Sequence, residues 1–452
     1  MVCDAVILAA GLGTRMVSET PKALHPLGGV ALVAWVERTC RQATDRPPVV
    51  VIGPEGNPAR EVLPRDVRFV EQRSRLGTGH AVQQTEAILR DDGGGLVLIT
   101  TADMPLVRAK TLRRLVEAQR ANPGPMALVT LTAQAPRGFG RVIRDPAGRV
   151  RAVIEEAVAT SEQLETSELN ASLYCIDSAW LWSHLPKLTA ARNGEIYLTD
   201  LVAQAADEGR EIVTIQAEEP DEVIGINTRE HLAQAEAALR RRINREWMLA
   251  GVTLADPETT YIEATVRIEP DVVILPNTRL QGLTSVGRGS SIGPNAVVRD
   301  SNIGQACTVE ASVLEGAELE AEVHVGPFAH LRPGARLGRG VHMGNFGEVK
   351  NSVLGAGVKM GHFSYVGDAE IGRETNIGAG TITCNYSRQG VKSRTVVGEA
   401  VFLGSDTLLV APVRIGDGAA TGAGSVVTRE VPAASLAVGM PARVVRKLKD
   451  GD

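Results

Sequence analysis

Aromatic side chains are scarce in this sequence. Its 452 residues include only 4 Trp, 5 Tyr and 6 Phe, whereas glycine occurs 47 times. A core with so few large rings must be built from small aliphatic side chains packed in regular layers. The scarcity therefore favours a repetitive architecture in part of the chain.

Cysteine is also rare, and its spacing excludes two kinds of site. The five cysteines are odd in number and include no CxxC pair. This pattern argues against a zinc site and against a framework of structural disulfides. It predicts reduced thiols in a cytosolic protein.

An excess of one charge and a long apolar run are both missing. The 48 basic and 53 acidic side chains give a net charge of −5, which disfavours nucleic-acid and anionic-membrane partners. No apolar run approaches the ~20 residues that span a bilayer, and no basic signal-peptide segment begins the sequence. We expect a cytoplasmic protein without a membrane or nucleic-acid partner, and its length predicts at least two domains.

Aliphatic residues recur every six positions in the second half. A helix requires spacings of three and four, and a half-buried strand requires a spacing of two. Hexads are typical of a parallel β-helix, in which each hexad forms one flat side of a triangular coil and points its aliphatic residue inward. The positions in phase are Ile274, Leu280, Val286, Ile292 and Val298, then Val325, Leu331, Leu337, Met343 and Val349, and finally Val397, Leu403, Leu409, Ile415, Thr421 and Val427.

The hexads also predict which exposed residues lie above one another. Three hexads complete a coil, so Arg332 and Lys350 are expected in one column on successive coils. Two stacked cations form a site suited to a phosphate. The alternative is a pair of solvated surface charges.

Short apolar runs alternate with helical stretches in the first half. The apolar runs are Ala5–Ala9, Val49–Ile52, Leu96–Thr100 and Ala127–Leu131, and the helical stretches are Leu32–Gln42, His80–Arg90 and Thr111–Arg120. This alternation predicts an α/β domain with a parallel sheet covered by helices. Ligands of such sheets bind at the carboxyl ends of the strands.

The loop LAAGLGTRM, residues 8–16, follows the first predicted strand. It matches neither GxGxxG nor GxxxxGK[ST], but it offers backbone N–H groups beside Arg15, with Lys22 close behind. Such cations suit a nucleoside triphosphate, whose charge must be offset before another phosphate approaches. Asp103 follows a later strand and is a candidate Mg²⁺ ligand. An ordinary strand-to-helix turn is the alternative for the loop.

A long helix is predicted between the halves, over residues 228–251. Thr228 is a suitable N-cap, and Gly251 ends the helical pattern. The expected domains are therefore residues 1–227 and 252–440, with a tail at 441–452.

The chain resembles the bifunctional N-acetylglucosamine-1-phosphate uridylyltransferase and glucosamine-1-phosphate acetyltransferase family over nearly its whole length. The resemblance implies a Rossmann-like nucleotidyltransferase domain, then a left-handed parallel β-helix of hexapeptide repeats, assembled as a homotrimer with acetyltransferase sites between neighbours. The motifs that carry it are LAAGLGTRM, PKALHPL, LGTGHAV, FGRV and GIN in the first half, and GPFAHLRPGA, GNFGEVKNS, GHFSYVGDAEIG, NIGAGTITCNY and FLGSDTLLVAPV in the second.

In the first domain the resemblance implies a magnesium-dependent uridylyltransferase site. Arg15 and Lys22 match catalytic cations, and Asp103 and Asn227 match the metal ligands. The positions that match contacts to UTP or the UDP-sugar are Leu8, Ala10, Gly11, Gly13, Gln72, Gly77, Thr78, Gly140, Glu155 and Asn170.

In the β-helix the resemblance implies an acetyltransferase site with His362 as general base. His362 lies two places after the inward Met360, so we expect it to point outward near a corner; a solvated surface histidine is the alternative. Glu348 is a candidate to orient the imidazole. Arg332, Lys350, Tyr365 and Asn376 match contacts to the glucosamine phosphate, and Ala379, Asn385, Tyr386, Lys392, Ser405 and Ala423 match acetyl-CoA contacts or the subunit edge.

The implied activity is the acetylation of glucosamine 1-phosphate by acetyl-CoA, followed by transfer of UMP from UTP. The products are UDP-N-acetylglucosamine, a precursor of peptidoglycan and lipopolysaccharide, and pyrophosphate.

Three short segments depart from the family pattern around the sugar pocket. They are Thr101-Ala102 before the metal-binding aspartate, Ala171-Ser172 in place of Thr-Gly, and residues 156–159 in place of a Lys-Asp-Ala stretch. Altered sugar or nucleotide specificity is therefore one alternative, and a non-catalytic regulatory subunit is another. The complete set of phosphate-binding, metal-binding and basic residues argues against the regulatory subunit.

Overall fold

A computed structural model describes residues 2–54, 58–91, 95–132 and 138–448. The chain separates into two compact units, Met1–Leu239 and Arg240–Asp452. The division falls inside the helix Arg229–Leu249. As predicted, Thr228 caps this helix, because its Oγ1 accepts a hydrogen bond of 3.2 Å from the backbone N–H of His231.

The described residues of the first unit form a sheet of nine strands. Seven of them lie in the spatial order Ile212–Gln216, Met126–Thr132, Glu168–Asp177, Leu96–Thr101, Cys3–Leu8, Val49–Ile52 and Arg68–Glu71. The hairpin Arg141–Arg144 and Val150–Ile154 joins at Glu168–Asp177, and Pro26–Leu27 pairs with Val30–Ala31 apart from the sheet.

The sheet is mixed, so the prediction of a parallel sheet is wrong for one strand. Glu168–Asp177 runs antiparallel to both of its neighbours, while the other neighbouring strands along this path are parallel. The physical reason is the connection that precedes it. The hairpin Arg141–Arg144 and Val150–Ile154, followed by the short helix Ser161–Leu164, lies between Met126–Thr132 and this strand, and no described residue of the connection belongs to a longer crossover helix.

Helices cover the sheet, and the predicted helix His80–Arg90 is divided in two. The α-helices are Leu32–Ala43, Ala59–Val62, Thr78–Gln83, Glu86–Asp91, Ala109–Ala121, Ser161–Leu164, Ser178–His184, Asp200–Asp207 and Arg229–Leu249. Short 3₁₀ turns are Thr14–Met16, Lys22–Leu24, Glu156–Val158, Leu185–Lys187 and Pro220–Val223. Among the described residues, no helix combines the length and apolarity that a membrane crossing requires. The five cysteines are free thiols.

The second unit is a left-handed parallel β-helix whose three sheets are made of strands from successive coils. The first sheet contains Thr253–Leu254, Val273–Ile274, Ser291–Ile292, Thr308–Val309, His324–Val325, His342–Met343, Lys359–Met360, Asn376–Ile377, Phe402–Leu403, Ala420–Thr421, Ser435–Gly439 and Ala442–Lys447. The second contains Tyr261–Ile262, Arg279–Gln281, Val297–Arg299, Val313–Glu315, His330–Leu331, Gly347–Lys350, Ser364–Gly367, Ile382–Cys384, Leu408–Val410 and Val426–Val427. The third contains Arg267–Ile268, Ser285–Val286, Asn302–Ile303, Glu318–Leu319, Arg336–Leu337, Val353–Leu354, Ala369–Ile371, Thr395–Val397 and Val413–Ile415.

The register of these strands confirms the hexad prediction. Leu331 pairs with Val349, so Arg332 and Lys350, each one residue further on, lie at equivalent positions on adjacent coils. Leu331, Val349 and Met360 are fully buried in the interior of the coil. The last strand, Ala442–Lys447, turns back antiparallel to Ser435–Gly439, so part of the predicted tail closes the β-helix.

One departure from the family pattern has a backbone consequence. Ser172 has a φ of 54°, in the left-handed region, where the strand Glu168–Asp177 slips its register between Asn170 and Tyr174. This conformation strains any residue with a Cβ and suits glycine. The backbone N–H of Ser172 donates to Asn170 Oδ1 at 3.2 Å.

Ser172→Gly and Ser172→Ala should therefore differ in stability. Both variants lose the Ser172 hydroxyl, but only glycine relieves the positive φ, so Ser172→Gly should be more stable than Ser172→Ala by about 1 kcal/mol. Urea unfolding followed by tryptophan fluorescence would measure the difference. Equal stability of the two variants would show that the bulge carries no strain.

Candidate functional site

A cavity of about 420 Å³ lies at the carboxyl edge of the sheet in the first unit. Sequence reasoning predicted nine of the residues that line it, namely Leu8, Ala10, Gly11, Gly13, Lys22, Gln72, Gly77, Thr78 and Asp103. It missed Arg75, Glu195 and Tyr197, which also line the cavity. Glu195 and Tyr197 come from a segment between helices whose position no local sequence pattern reveals.

Lys22 is the centre of a charged cluster at this cavity. Its Nζ donates to Asp103 Oδ2 at 2.5 Å and to Asn227 Oδ1 at 3.1 Å. Arg15 donates to the same amide oxygen at 3.1 Å. Asn227 is held there by its neighbour Ile226, whose backbone N–H donates to the Asp103 carbonyl at 2.9 Å. The four predicted catalytic and metal-binding residues thus meet at one point.

The side-chain oxygens of Asp103 and Asn227 are suitable ligands for a magnesium ion. Burial alone would raise the pKa of Asp103, but the charge and hydrogen bond of Lys22 and a hydrogen bond from Thr101 hold that pKa below its ordinary value. Its carboxylate is therefore ionised at neutral pH. Because the Asp103 and Asn227 oxygens both lie within 3.1 Å of one ammonium nitrogen, a single cation can reach both. Magnesium takes one or two protein oxygens and completes its shell with phosphate and water.

The two glycines of the loop are required for different reasons. At Gly13, φ is 65° and a Cβ would lie 2.5 Å from the Lys22 Cβ, so the protein itself demands glycine. At Gly11 a Cβ would have no protein atom within 4 Å, although the residue lines the cavity. A side chain at Gly11 would therefore occupy only space that a ligand can use.

Gln72 and Thr78 are already oriented by the protein at the other end of the cavity. Gln72 is buried, and its Nε2 donates to the Gly77 carbonyl at 3.1 Å. Since that amide nitrogen is committed, Oε1 is the atom that Gln72 offers as an acceptor. The Thr78 hydroxyl accepts from the backbone N–H of Leu198 at 3.0 Å.

The three predicted sugar contacts lie close together: Asn170 in the strand Glu168–Asp177, Gly140 just before Arg141–Arg144, and Glu155 just after Val150–Ile154. The Asn170 backbone N–H donates to the Gly140 carbonyl at 2.9 Å, and a Cβ on Gly140 would lie 3.6 Å from Glu155 Oε2. Burial raises the pKa of Glu155, whose Oε1 accepts from Thr199 at 3.1 Å. The Asn170 side chain is buried, and it bonds the Tyr174 hydroxyl and the Ser172 backbone N–H.

In the second unit, a groove of about 640 Å³ follows the first sheet of the β-helix. His362, Ala379, Ser405 and Ala423 line it, each two residues after an inward-facing residue of a successive coil. These four predicted residues therefore form a column along the groove, with a rise of about 4.8 Å per coil. Asn376 lines the same groove. His362 is exposed beyond the buried Met360, as predicted.

A second set of predicted residues belongs to the second sheet. Arg332 and Lys350 follow paired strand positions, and Tyr365 pairs with Glu348. Glu348 Oε1 accepts from Arg332 Nη1 at 2.9 Å. Within one chain Glu348 therefore pairs with Arg332, and the expectation that Glu348 orients His362 stays a prediction.

The remaining predicted residues lie beside this second set. Asn385 is buried, and its Nδ2 donates to Asp368 Oδ2 at 2.6 Å. Tyr386 and Lys392 form an isolated antiparallel bridge in the loop that follows, and Tyr386 is 69% exposed. Sequence reasoning missed Asp368, although Asn351, Asp368 and Asn385 recur at intervals of 17 residues.

Comparison with known proteins agrees with both halves of this arrangement. Residues 5–253 match the family described as the MobA-like NTP transferase domain. The chain is 45% identical over 449 residues to the bifunctional protein GlmU of Pelobacter propionicus, covering 98% of this chain and 97% of that protein. It is 43% identical to the proteins of the same name from Geotalea uraniireducens, over 99% of this chain and 98% of the relative, and Acinetobacter baumannii, over 96% and 95%.

Gly11→Ala should separate ligand binding from folding at the first cavity. Its methyl group meets no protein atom, so we expect stability to change by less than about 0.5 kcal/mol while UTP binds about 10-fold more weakly. Calorimetric titration with UTP and thermal unfolding would measure the two effects. Gly13→Ala is the contrasting variant and should lose both binding and stability; unchanged UTP affinity in Gly11→Ala would place the phosphates elsewhere.

Proposed function

Since the chain belongs to the bifunctional GlmU family, we propose that it makes UDP-N-acetylglucosamine in two steps. It acetylates glucosamine 1-phosphate with acetyl-CoA and then transfers UMP from UTP to the product. The observation that carries this proposal is the extent of the similarity, which covers 98% of the chain at 45% identity and so includes both units.

Acetyl transfer is assigned to the groove of the β-helix. The amine nitrogen of glucosamine 1-phosphate attacks the thioester carbon of acetyl-CoA; the N–C bond forms, the C–S bond breaks, and CoA leaves as the thiol. An amine attacks only with a free lone pair, so a base must take its proton, and the imidazole of His362 is suited to that near neutral pH. Ala379, Ser405 and Ala423 continue the column from His362 and leave room for the extended acyl donor.

Uridylyl transfer is assigned to the cavity of the first unit. An oxygen of the sugar phosphate attacks the α-phosphorus of UTP, and the bond to the leaving pyrophosphate breaks. Arg15 and Lys22 offset the negative charge of both substrates as they approach. Gln72, through its acceptor Oε1, suits a base that presents an N–H donor, as uracil does at N3.

Asp103 and Asn227 are the residues proposed to hold Mg²⁺. The ion, when bound, shields the triphosphate and stabilises charge that develops during transfer. Lys22 stands within hydrogen-bond distance of both ligands, so its ammonium can move from them to the phosphates when the metal and nucleotide bind.

A homotrimer is proposed because the predicted acetyltransferase residues fall into two sets on one chain. His362 and the groove belong to the first sheet, whereas Arg332, Lys350 and Tyr365 belong to the second. A neighbouring copy can bring one set against the other, and cyclic symmetry repeats that contact. We also propose a cytoplasmic location and the domain limits 1–227 and 252–440.

Two assays on the purified full-length protein test the proposal. One follows CoA release from acetyl-CoA and glucosamine 1-phosphate, and the other follows pyrophosphate release from UTP, N-acetylglucosamine 1-phosphate and Mg²⁺. The wild type should be active in both. Acetyl transfer without uridylyl transfer would mean that Ser172 and its neighbours have changed the sugar or nucleotide accepted by the first unit.

Two variants should separate the activities. Asp103→Ala should lower uridylyl transfer about 100-fold or more while leaving acetyl transfer intact, and His362→Ala should do the reverse. Each activity is the folding control for the variant that lacks the other. Loss of both activities in either variant would contradict the assignment of the two reactions to separate sites.

A further inference from the structure

Asn351, Asp368 and Asn385 form a ladder at one corner of the β-helix. Each lies two residues after an inward-facing residue of successive coils. Asp368 accepts from Asn351 Nδ2 through Oδ1 and from Asn385 Nδ2 through Oδ2, both at 2.6 Å. The central carboxylate therefore bonds one amide on the coil before it and one on the coil after it.

This arrangement fixes which way the Asn385 amide faces. An ionised carboxylate can only accept hydrogen bonds, so it binds the amide NH₂ and never the amide oxygen. Burial would raise the pKa of Asp368, but the two amides together with Lys392 and Lys350 hold it below its ordinary value, so the carboxylate is ionised at neutral pH. Asn385 is thereby left with Oδ1 as the atom that a ligand can meet.

The ladder lies beside Lys350 and Tyr365, which are predicted to contact the amino-sugar phosphate, and it includes Asn385, which is predicted at an acetyl-CoA contact or the subunit edge. A Cβ on Gly367 would collide with the Tyr365 hydroxyl and lie 2.8 Å from Asn385 Nδ2, so both side chains cover this glycine. The charges of Lys350 and Lys392 both act on Asp368. One carboxylate thus lies close to two lysines and one amide that all belong to the predicted acetyltransferase residues.

We propose that Asp368 is a positioning residue of the acetyltransferase half: it holds Asn385 so that Oδ1 accepts an N–H of the substrate amine. The inference rests on the proposed function. An acceptor at this place favours an amino sugar over an analogue without a donor, and it orients the nitrogen for attack. Asp368 itself does not touch the reacting atoms.

Asp368→Asn in the full-length protein tests this role. Asparagine tolerates the left-handed φ of 50° at this corner, but it offers one acceptor for two NH₂ groups, so the Asn385 amide loses its fixed orientation. The KM for glucosamine 1-phosphate should rise about 10–100-fold. The KM for acetyl-CoA and the uridylyl kcat/KM should stay within about twofold of the wild type.

Two further variants separate positioning from folding. Asp300→Asn makes the same change at another corner with a φ of 48° and should leave both activities unchanged. The second variant exchanges the two residues, Asp368→Asn with Asn385→Asp. The amide oxygen of residue 368 then accepts a hydrogen bond from Asn351, and its NH₂ donates to one carboxylate oxygen of residue 385. The other carboxylate oxygen of residue 385 remains an acceptor. The swap should recover the KM for glucosamine 1-phosphate to within about threefold of the wild type, even where the single variant folds poorly.

The outcomes distinguish this inference from the proposed function. An unchanged KM in Asp368→Asn, an equal rise in both KM values, or a swap no better than the single variant would overturn the positioning role while leaving the proposed function standing. No acetyl transfer by the wild type would overturn the proposed function and the positioning role with it.

Discussion

The register of parallel strands from coil to coil is the constraint on which the second unit depends. Each strand hydrogen-bonds to the equivalent strand of the next coil, and fully buried aliphatic side chains such as Leu331 and Val349 stack inside. Residues that lie the same number of positions after the inward-facing residue of each coil are therefore stacked in a column. A shift of register by one residue would expose the aliphatic stack, which the loss of apolar burial forbids.

The columns explain how functional side chains are arranged on the surface of a fold whose core is so regular. The column that begins at His362 continues through small residues, Ala379, Ser405 and Ala423, and so leaves a groove open on the surface. The column of Asn351, Asp368 and Asn385 is instead filled with polar side chains that bond each other. The same backbone thus provides both a space for an extended ligand and a rigid polar corner.

The first unit concentrates its chemistry in another way, at the ends of strands. Asp103 follows the strand Leu96–Thr101, and the backbone bond from Ile226 brings Asn227 to it from more than 100 residues further along the chain. The departures from the family pattern leave this cluster intact. Ala102 is buried and its N–H donates to the Leu8 carbonyl, while Ser172 changes a backbone conformation rather than a ligand-binding group.

Periodicity and local residue types were enough to predict the β-helix, its columns and the loop with its two cations. Arg332 and Lys350 lie at equivalent positions as the hexads require, and His362 points outward. Tertiary structure alone decided which distant groups meet. Chain crossings, corners and rotamers place the antiparallel strand Glu168–Asp177 and bring Tyr197 to the cavity of the first unit. They also pair Glu348 with Arg332 and bond Asn385 to Asp368. Such contacts arise from packing between segments far apart in the chain, and a local sequence pattern does not encode that packing.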